Sequence, residues 1–318
     1  MSDPSTSHKP SLSVLVPVYR SAGTLRLFVE KLGPVLAQIA SEFELLLVND
    51  GSPDNSWSVV EELAAQFTWV RGICLLRNYG QHNALLCGMR AARYEICVTM
   101  DDDLQHPPEE IHKLLAKLDE GFDVAYGVPE QRMHSPVRNA LSWFTKWALS
   151  IATGVKAARE INAFRAFRTE LRAASATFHG PQLLFDVLLT WGTSKLVGVK
   201  VNYAERAEGK SNYNFMKLLN QAMLVIVGFS TAPLRVATFL GLGSTLLGFV
   251  ILIWVVGRFL VYGTSTPGFT FLASAMSIFS GLQLFVMGII GEYLARIFQR
   301  TQDKPTYTVK TITPDLQA

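Results

Sequence analysis

Met100 is followed by three carboxylates, Asp101, Asp102 and Asp103, and then by Leu104 and Gln105. Along an extended chain alternate side chains share a side, so Asp101 and Asp103 can face one point while Asp102 turns away. Two carboxylates and the amide oxygen of Gln105 form a hard-oxygen set suited to Mg2+ or Mn2+, with waters and substrate phosphate oxygens completing the shell. An acidic loop capping the helix that Pro107 and Pro108 introduce has the same residue types, and the spacing alone names no reaction. A second cluster, VNDGS at 48–52, ends an apolar run. Asp50 could accept from a nucleobase imide or amide, and Gly51 would let backbone approach a ligand. With Ser52 the same residues also make a plain turn and helix cap. The third cluster is ERAEGKSNY at 205–213, where Arg206, Lys210 and Ser211 surround a glycine ahead of an amphipathic stretch. That arrangement suits a phosphate cradle at a helix N-terminus, and equally a solvated basic loop.

Short apolar runs at 12–18, 43–49, 69–76, 95–100 and 122–126 read as strands. Helical patterns fall between them at 22–40, 55–66, 84–92 and 108–120. Strands alternating with helices predict βαβ units and a largely parallel sheet covered on both faces. Ligands of such sheets bind beyond the strand C-termini. The polar clusters at 19–21, 50–52 and 101–105 fall at those ends, which is the first functional signal.

The chain of 318 residues is 49% hydrophobic and 17% charged, with the apolar excess in its last third. Segments 236–257 and 268–291 carry no charge, and each exceeds the ~20 residues needed to cross a bilayer. Arg235 precedes the first; Arg296, Arg300 and Lys304 follow the second, so a hairpin with both ends on the cytoplasmic side is expected. Arg258 is the one dissenting charge, at the outer end. Stretches 135–153 and 211–232 mix aromatic and basic residues as interfacial helices do. A net charge of +3 gives no support to nucleic-acid binding. Cys74, Cys87 and Cys97 lie in apolar runs and read as buried free thiols. The polar first ten residues do not form a signal peptide, so the front domain is expected in the cytoplasm.

The ordered set VPVY (16–19), VNDGS (48–52), RNYGQHNAL (77–85), MDDDLQHPPEEI (100–111), FRAF (164–167), ERAEGKSNY (205–213) and GEYLARI (291–297) resembles the family 2 inverting glycosyltransferases of GT-A fold. It is similar in particular to the polyprenyl-phosphate glycosyltransferases, in their bacterial form with a two-helix anchor. The likeness covers about 12–306. It implies an α/β, Rossmann-like, mostly parallel catalytic domain at 11–210 behind a disordered 1–10. An amphipathic helix (211–232), a transmembrane hairpin (233–298) and a cytoplasmic tail (299–318) would follow. It implies that Pro17, Tyr19, Asp50, Gly51, Ser52 and Asp102 serve the nucleotide-sugar donor. Asp101, Asp103 and Gln105 would hold Mg2+ or Mn2+, and Arg206, Lys210 and Ser211 would grip phosphate of a polyprenyl acceptor. UDP and undecaprenyl phosphate are the family-level expectations, at the inner membrane among membrane lipid.

Gln81-His82 stand where some relatives carry Lys, which leaves the donor open, and a second departure from the family pattern matters more. Family members carry an acidic residue, described as a base, just before the Phe-Arg pair or a few residues upstream, where this chain has Ala163, with Glu160 three residues out of register. A phosphate acceptor is already largely a dianion at neutral pH, so Arg165 and Arg206 could align it without a base, as electrostatic catalysts beside Asp101 and Asp103. The alternatives are transfer to another lipid or polysaccharide, or a non-catalytic membrane scaffold with a degenerate nucleotide-sugar site. Gly241, Gly243, Ser244 and Gly248 are small enough for close helix packing, which is compatible with a homo-oligomer.

Overall fold

The computed structural model describes residues 9–129, 161–176, 178, 184–203, 231–263, 268–302 and 304–314. The expected interfacial helix at 135–153, nearly all of the amphipathic one at 211–232, and Glu160, Arg206, Lys210 and Ser211 lie outside them. The chain divides into two units, one of Met1–Tyr213 with Asp303–Ala318 and the other of Asn214–Gln302.

The first unit is built on β1 (Ser11–Val18), β2 (Glu42–Asn49), β3 (Val70–Leu75), β4 (Ile96–Thr99), β5 (Val124–Pro129), β6 (Arg165–Arg168), β7 (Leu196–Val201) and β8 (Val309–Ile312). They form one sheet in the order β7-β5-β6-β4-β1-β2-β3-β8. β6 runs antiparallel to β4 and β5, and β8 antiparallel to β3; the other pairs are parallel. This is the mostly parallel α/β sheet expected.

Helices α1 (Leu25–Ile39), α2 (Ser56–Gln66) and α4 (Ile111–Asp119) cover one face, and α3 (Gln81–Ala91) and α5 (Phe185–Gly192) the other. Alternation along the strands feeds both cores. Val14, Val16, Leu45 and Leu47 pack under α1 and α2, while Leu15, Leu46 and Val48 pack under α3. Strands buried on both faces read as continuous apolar runs, which is why β1 and β2 are legible in the sequence. Cys74, Cys87 and Cys97 are free and buried, and burial pushes the Cys87 and Cys97 thiols up to about 12.

Three strands were not anticipated, one of them β7, which pairs parallel with β5 at the sheet's edge. FRAF contributes β6, inserted antiparallel between β4 and β5. The C-terminal segment, expected only as a tail, adds β8 to the edge of β3. There the Leu76 N–H donates to the Thr308 carbonyl, and Thr313 Oγ1 accepts from the Gly72 N–H at 2.9 Å.

The second unit contains α6 (Ala232–Tyr262) and α7 (Phe269–Thr301), which pack on one another. Pro233–Tyr262 and Ile278–Thr301 are long and apolar enough to cross a membrane, and their surface is almost wholly accessible in the unit. Large side chains such as Phe239, Ile253, Trp254 and Leu284 are exposed; a core helix of a soluble protein would hide them. Arg258 lies over the Trp254 ring at 5.5 Å. Of Gly241, Gly243 and Gly248, only Gly248 has a neighbour near its Cα, the Phe279 ring.

Candidate active site

The order β3-β2-β1-β4 reverses direction at β1, because successive strands step one way to β3 and β4 then starts on the other side. A doubly wound sheet opens its ligand crevice at such a reversal. The loops leaving β1 to β4 enclose a cavity of about 350 Å3, lined by Pro17, Val18, Tyr19, Asp50, Asn78, Gly80, Gln81, Asp101, Asp102 and Asp103. That volume falls at the lower end of the range for small-molecule sites.

The structure thus brings Pro17, Tyr19, Asp50, Asp101, Asp102 and Asp103 to one cavity, and it adds Asn78, Gly80 and Gln81. Those three sit in RNYGQHNAL, which the sequence offered as a family motif without saying what it touches. Gly51 and Ser52 do not line the cavity. Gly51 has φ +61°, and a Cβ there would lie 2.4 Å from the Arg77 carbonyl carbon. The backbone that approaches Gly51 is therefore the chain's own 77–80 loop. Ser52 Oγ accepts from the Arg20 N–H (3.2 Å) and donates to the Val18 carbonyl (3.4 Å), tying the β1 and β2 loops together.

Asp50 is buried, and its two oxygens accept the N–H groups of Tyr79 (2.7 Å) and Gly80 (2.8 Å). Burial pushes its carboxyl up from the usual Asp range, and the two amide bonds pull against that. Asp50 therefore holds the third wall of the cavity as well as facing into it.

Asp101 Oδ1 accepts from Gln81 Nε2 at 2.8 Å. Burial raises the Asp101 carboxyl most; repulsion from Asp103 adds, while His106, Arg165 and the Gln81 bond oppose. Asp102 is pushed up to about 6 by burial, with Asp101 and Asp103 adding and a bond from Ser21 opposing. Its Oδ2 is buried without a hydrogen-bond partner. Leu104, at φ +59°, turns the chain so that the Gln105 N–H donates to Asp103 Oδ1 at 3.1 Å. Beneath this loop His106 is buried, stacked on Phe164 (5.2 Å) and edge-on to Tyr203 (5.0 Å).

No three His, Cys, Asp or Glu side chains gather as a closed metal site among the described residues. The donor set fits an open one. Mg2+ and Mn2+ are commonly held by one or two carboxylates, with waters and substrate phosphate supplying the rest. Asp101 and Asp103 line one cavity, and the orphaned Asp102 oxygen beside them lacks a cation or donor. Gln105 does not line the cavity, and the contact it makes here is its main-chain N–H to Asp103.

Arg165 likewise does not line the cavity. It is 2% exposed on β6, ion-paired with Asp186 of α5, and its Nε donates to Thr99 Oγ1 (2.9 Å) and to the Ala163 carbonyl (3.3 Å). Its guanidinium lies 5.1 Å from the Phe185 ring centre. It reaches the carboxylate cluster through its field and through Thr99, one residue before Met100. At Ala163, where the family likeness expects an acid, the chain offers a main-chain carbonyl accepting from Thr99 Oγ1 at 2.6 Å.

Residues 13–175 match the glycosyl transferase family 2 domain. Over 304 residues the chain is 33% identical to undecaprenyl-phosphate 4-deoxy-4-formamido-L-arabinose transferase of Shewanella sediminis (strain HAW-EB3), covering 95% of this chain and 92% of that one. It is 32% identical to the Proteus mirabilis (strain HI4320) protein of the same name, covering 95% and 93%. Among solved structures, glucosyl-3-phosphoglycerate synthase from Mycobacterium tuberculosis, in complex with Mn2+, UDP and glucosyl-3-phosphoglycerate, superposes with a TM-score of 0.51. It is 18% identical and covers 69% of this chain and 78% of its own, a likeness of fold. With the family match spanning half of the chain and relatives matching nearly all of it, the chain belongs to glycosyl transferase family 2 and is a glycosyltransferase.

Proposed function

We propose that this glycosyltransferase moves a sugar from a nucleotide-sugar, UDP-linked by preference, to a polyprenyl phosphate such as undecaprenyl phosphate, with inversion at the anomeric carbon. The observation that carries the reading is one cavity at the sheet's reversal point combining the β4 carboxylates with the ends of β1 and β2, in a chain whose full-length relatives bear an undecaprenyl-phosphate transferase name. In this reading Pro17, Tyr19 and Asp50 contact the nucleoside, and Asp102 accepts from donor hydroxyls. Asp101 and Asp103 hold Mg2+ or Mn2+, which supplies charge neutralisation at the departing diphosphate. Gln81 and the Gln105 N–H fix the orientation of those two carboxylates. Arg165 positions the β4 end, and Arg206, Lys210 and Ser211 grip phosphate.

No general base is needed. The acceptor phosphate arrives with its second pKa near 6, so it attacks as a dianion, and no proton has to leave the nucleophile. That is consistent with Ala163. The chain's work is alignment and electrostatic stabilisation.

The exposed apolar surface of α6 and α7 supports a membrane location, where a prenyl tail also resides. β8 follows α7 in the chain yet belongs to the sheet that starts at β1, so an even number of crossings separates them. With Arg235, Arg296, Arg300 and Lys304 flanking the spans, that side is the cytoplasm.

The test incubates purified protein and undecaprenyl phosphate with radiolabelled nucleotide-sugars and Mn2+. Label should enter the organic phase from one donor, vanish with EDTA and fall at least ~100-fold in Asp103→Ala. Full activity of Asp103→Ala in saturating metal would refute the metal assignment, and no label from any donor would refute the reaction.

A further inference from the structure

The described lining of the cavity is acidic, although the ligand just proposed is an anion. Four of its lining residues, Asp50, Asp101, Asp102 and Asp103, are carboxylates, and none of the described lining residues is a cation. A divalent ion offsets two of those charges, and a nucleotide-sugar brings two more through its diphosphate. Arg165 is not among the lining residues and is ion-paired with Asp186. A positive group at the rim would favour that ligand.

Arg20 is there. It directly follows Tyr19, a lining residue, and its guanidinium lies 5.5 Å from the centre of the Tyr19 ring. It is exposed and forms no ion pair among the described residues. Its backbone has φ +58°, one of only two non-glycine residues in the left-handed region among those described. That conformation suits Gly and Asn and is strained for other side chains. The bend itself is held from outside: the Arg20 N–H donates to Ser52 Oγ and the Ser21 N–H to Ser56 Oγ. Apart from lying over the Tyr19 ring, the arginine side chain takes no part in the bend, and asparagine would serve the backbone better. Strain kept at a cavity rim points to what the side chain does there.

We infer that Arg20 is a donor-binding residue that contacts the anionic diphosphate of the nucleotide-sugar from the β1 rim of the cavity. The inference rests on the nucleotide-sugar reading above. Tyr19 supports the guanidinium on its face, leaving the planar fork to bind phosphate oxygens.

The test uses the full-length protein in detergent with Mn2+, comparing Arg20→Asn, Arg20→Gly and Arg20→Lys with wild type. UDP, GDP and CDP are titrated by calorimetry, and the nucleoside of whichever binds is titrated by competition. Arg20→Asn and Arg20→Gly should weaken the diphosphate about tenfold or more and leave the nucleoside unchanged. Both should unfold at or above the wild-type temperature, since each relieves the left-handed strain. Arg20→Lys should recover part of the loss, and the difference from wild type should shrink with added salt. Unchanged diphosphate binding in Arg20→Asn would overturn the inference, as would an equal loss of nucleoside. If wild type binds none of the three diphosphates, the donor reading itself fails.

Discussion

Replacing Gly51 by alanine probes the coupling between fold and site most sharply. A Cβ on this residue would stand 2.4 Å from the Arg77 carbonyl carbon, 2.6 Å from the Asn78 nitrogen and 2.8 Å from the Arg77 Cα. All three atoms are backbone, so no side chain can swing aside, and the 77–80 loop must retreat by about 1 Å to restore ordinary contact. That loop carries the Tyr79 and Gly80 N–H groups that bind Asp50, and the Asn78 and Gly80 cavity wall. The left-handed backbone costs alanine roughly 1–2 kcal/mol, and weakening two bonds to a buried carboxylate adds at least ~1–2 kcal/mol. The sum is about 2–4 kcal/mol, or about 5–15 °C in Tm for a domain of this size. Gly121, at φ +96° with nothing within 4 Å of an added Cβ, supplies the control. Gly121→Ala carries the backbone cost alone and should lose only about 1–2 kcal/mol with nucleotide binding intact. Thermal unfolding and nucleotide calorimetry on both variants separate the two effects. If Gly51→Ala lost no more stability than Gly121→Ala and bound nucleotide normally, the idea that this glycine seats the 77–80 loop would be wrong.

Two other variants address the groups that orient the carboxylates. Gln81→Ala removes the 2.8 Å bond to Asp101 and should cost about tenfold in Mn2+ affinity, read by paramagnetic resonance of bound Mn2+, with unfolding little changed. Asp186→Asn leaves the guanidinium of Arg165, 2% exposed, without its counter-charge; a loss of about 3–5 kcal/mol is expected, measured by chemical denaturation. A shift within error there would contradict the assignment of Arg165 as a neutralised, structural cation.

The strands that face helices on both sides were legible because their apolar runs are continuous, and the carboxylates of β2 and β4 were legible as site candidates because they follow those runs. β6 was not, since four residues reading RAFR carry no period of their own and pair only because β4 and β5 leave a gap between them. β8 escaped for a related reason: VKTI is exposed along its length, and its partner lies more than two hundred residues earlier in the chain. Arg165 looked catalytic by type, and only the fold reveals that Asp186, on a different element, is already bound to it. Gly51 illustrates a subtler limit. Its need for a bare Cα was readable, but whether ligand or chain fills the space depends on where the 77–80 loop returns. Gln81 could have been found by asking which polar residues open the helix after β3, the signal that picked out the ends of β1, β2 and β4.

The proposed chemistry turns on a lipid phosphate acting as the nucleophile, its own charge replacing the missing acid at Ala163. The decisive comparison gives the enzyme, its labelled donor and Mn2+ either undecaprenyl phosphate or undecaprenol, which share a tail and differ only in the phosphate. Label is expected on the phosphate lipid alone, with inverted anomeric configuration by NMR. Comparable transfer to undecaprenol would mean that a base activates a neutral hydroxyl, and would contradict that chemistry.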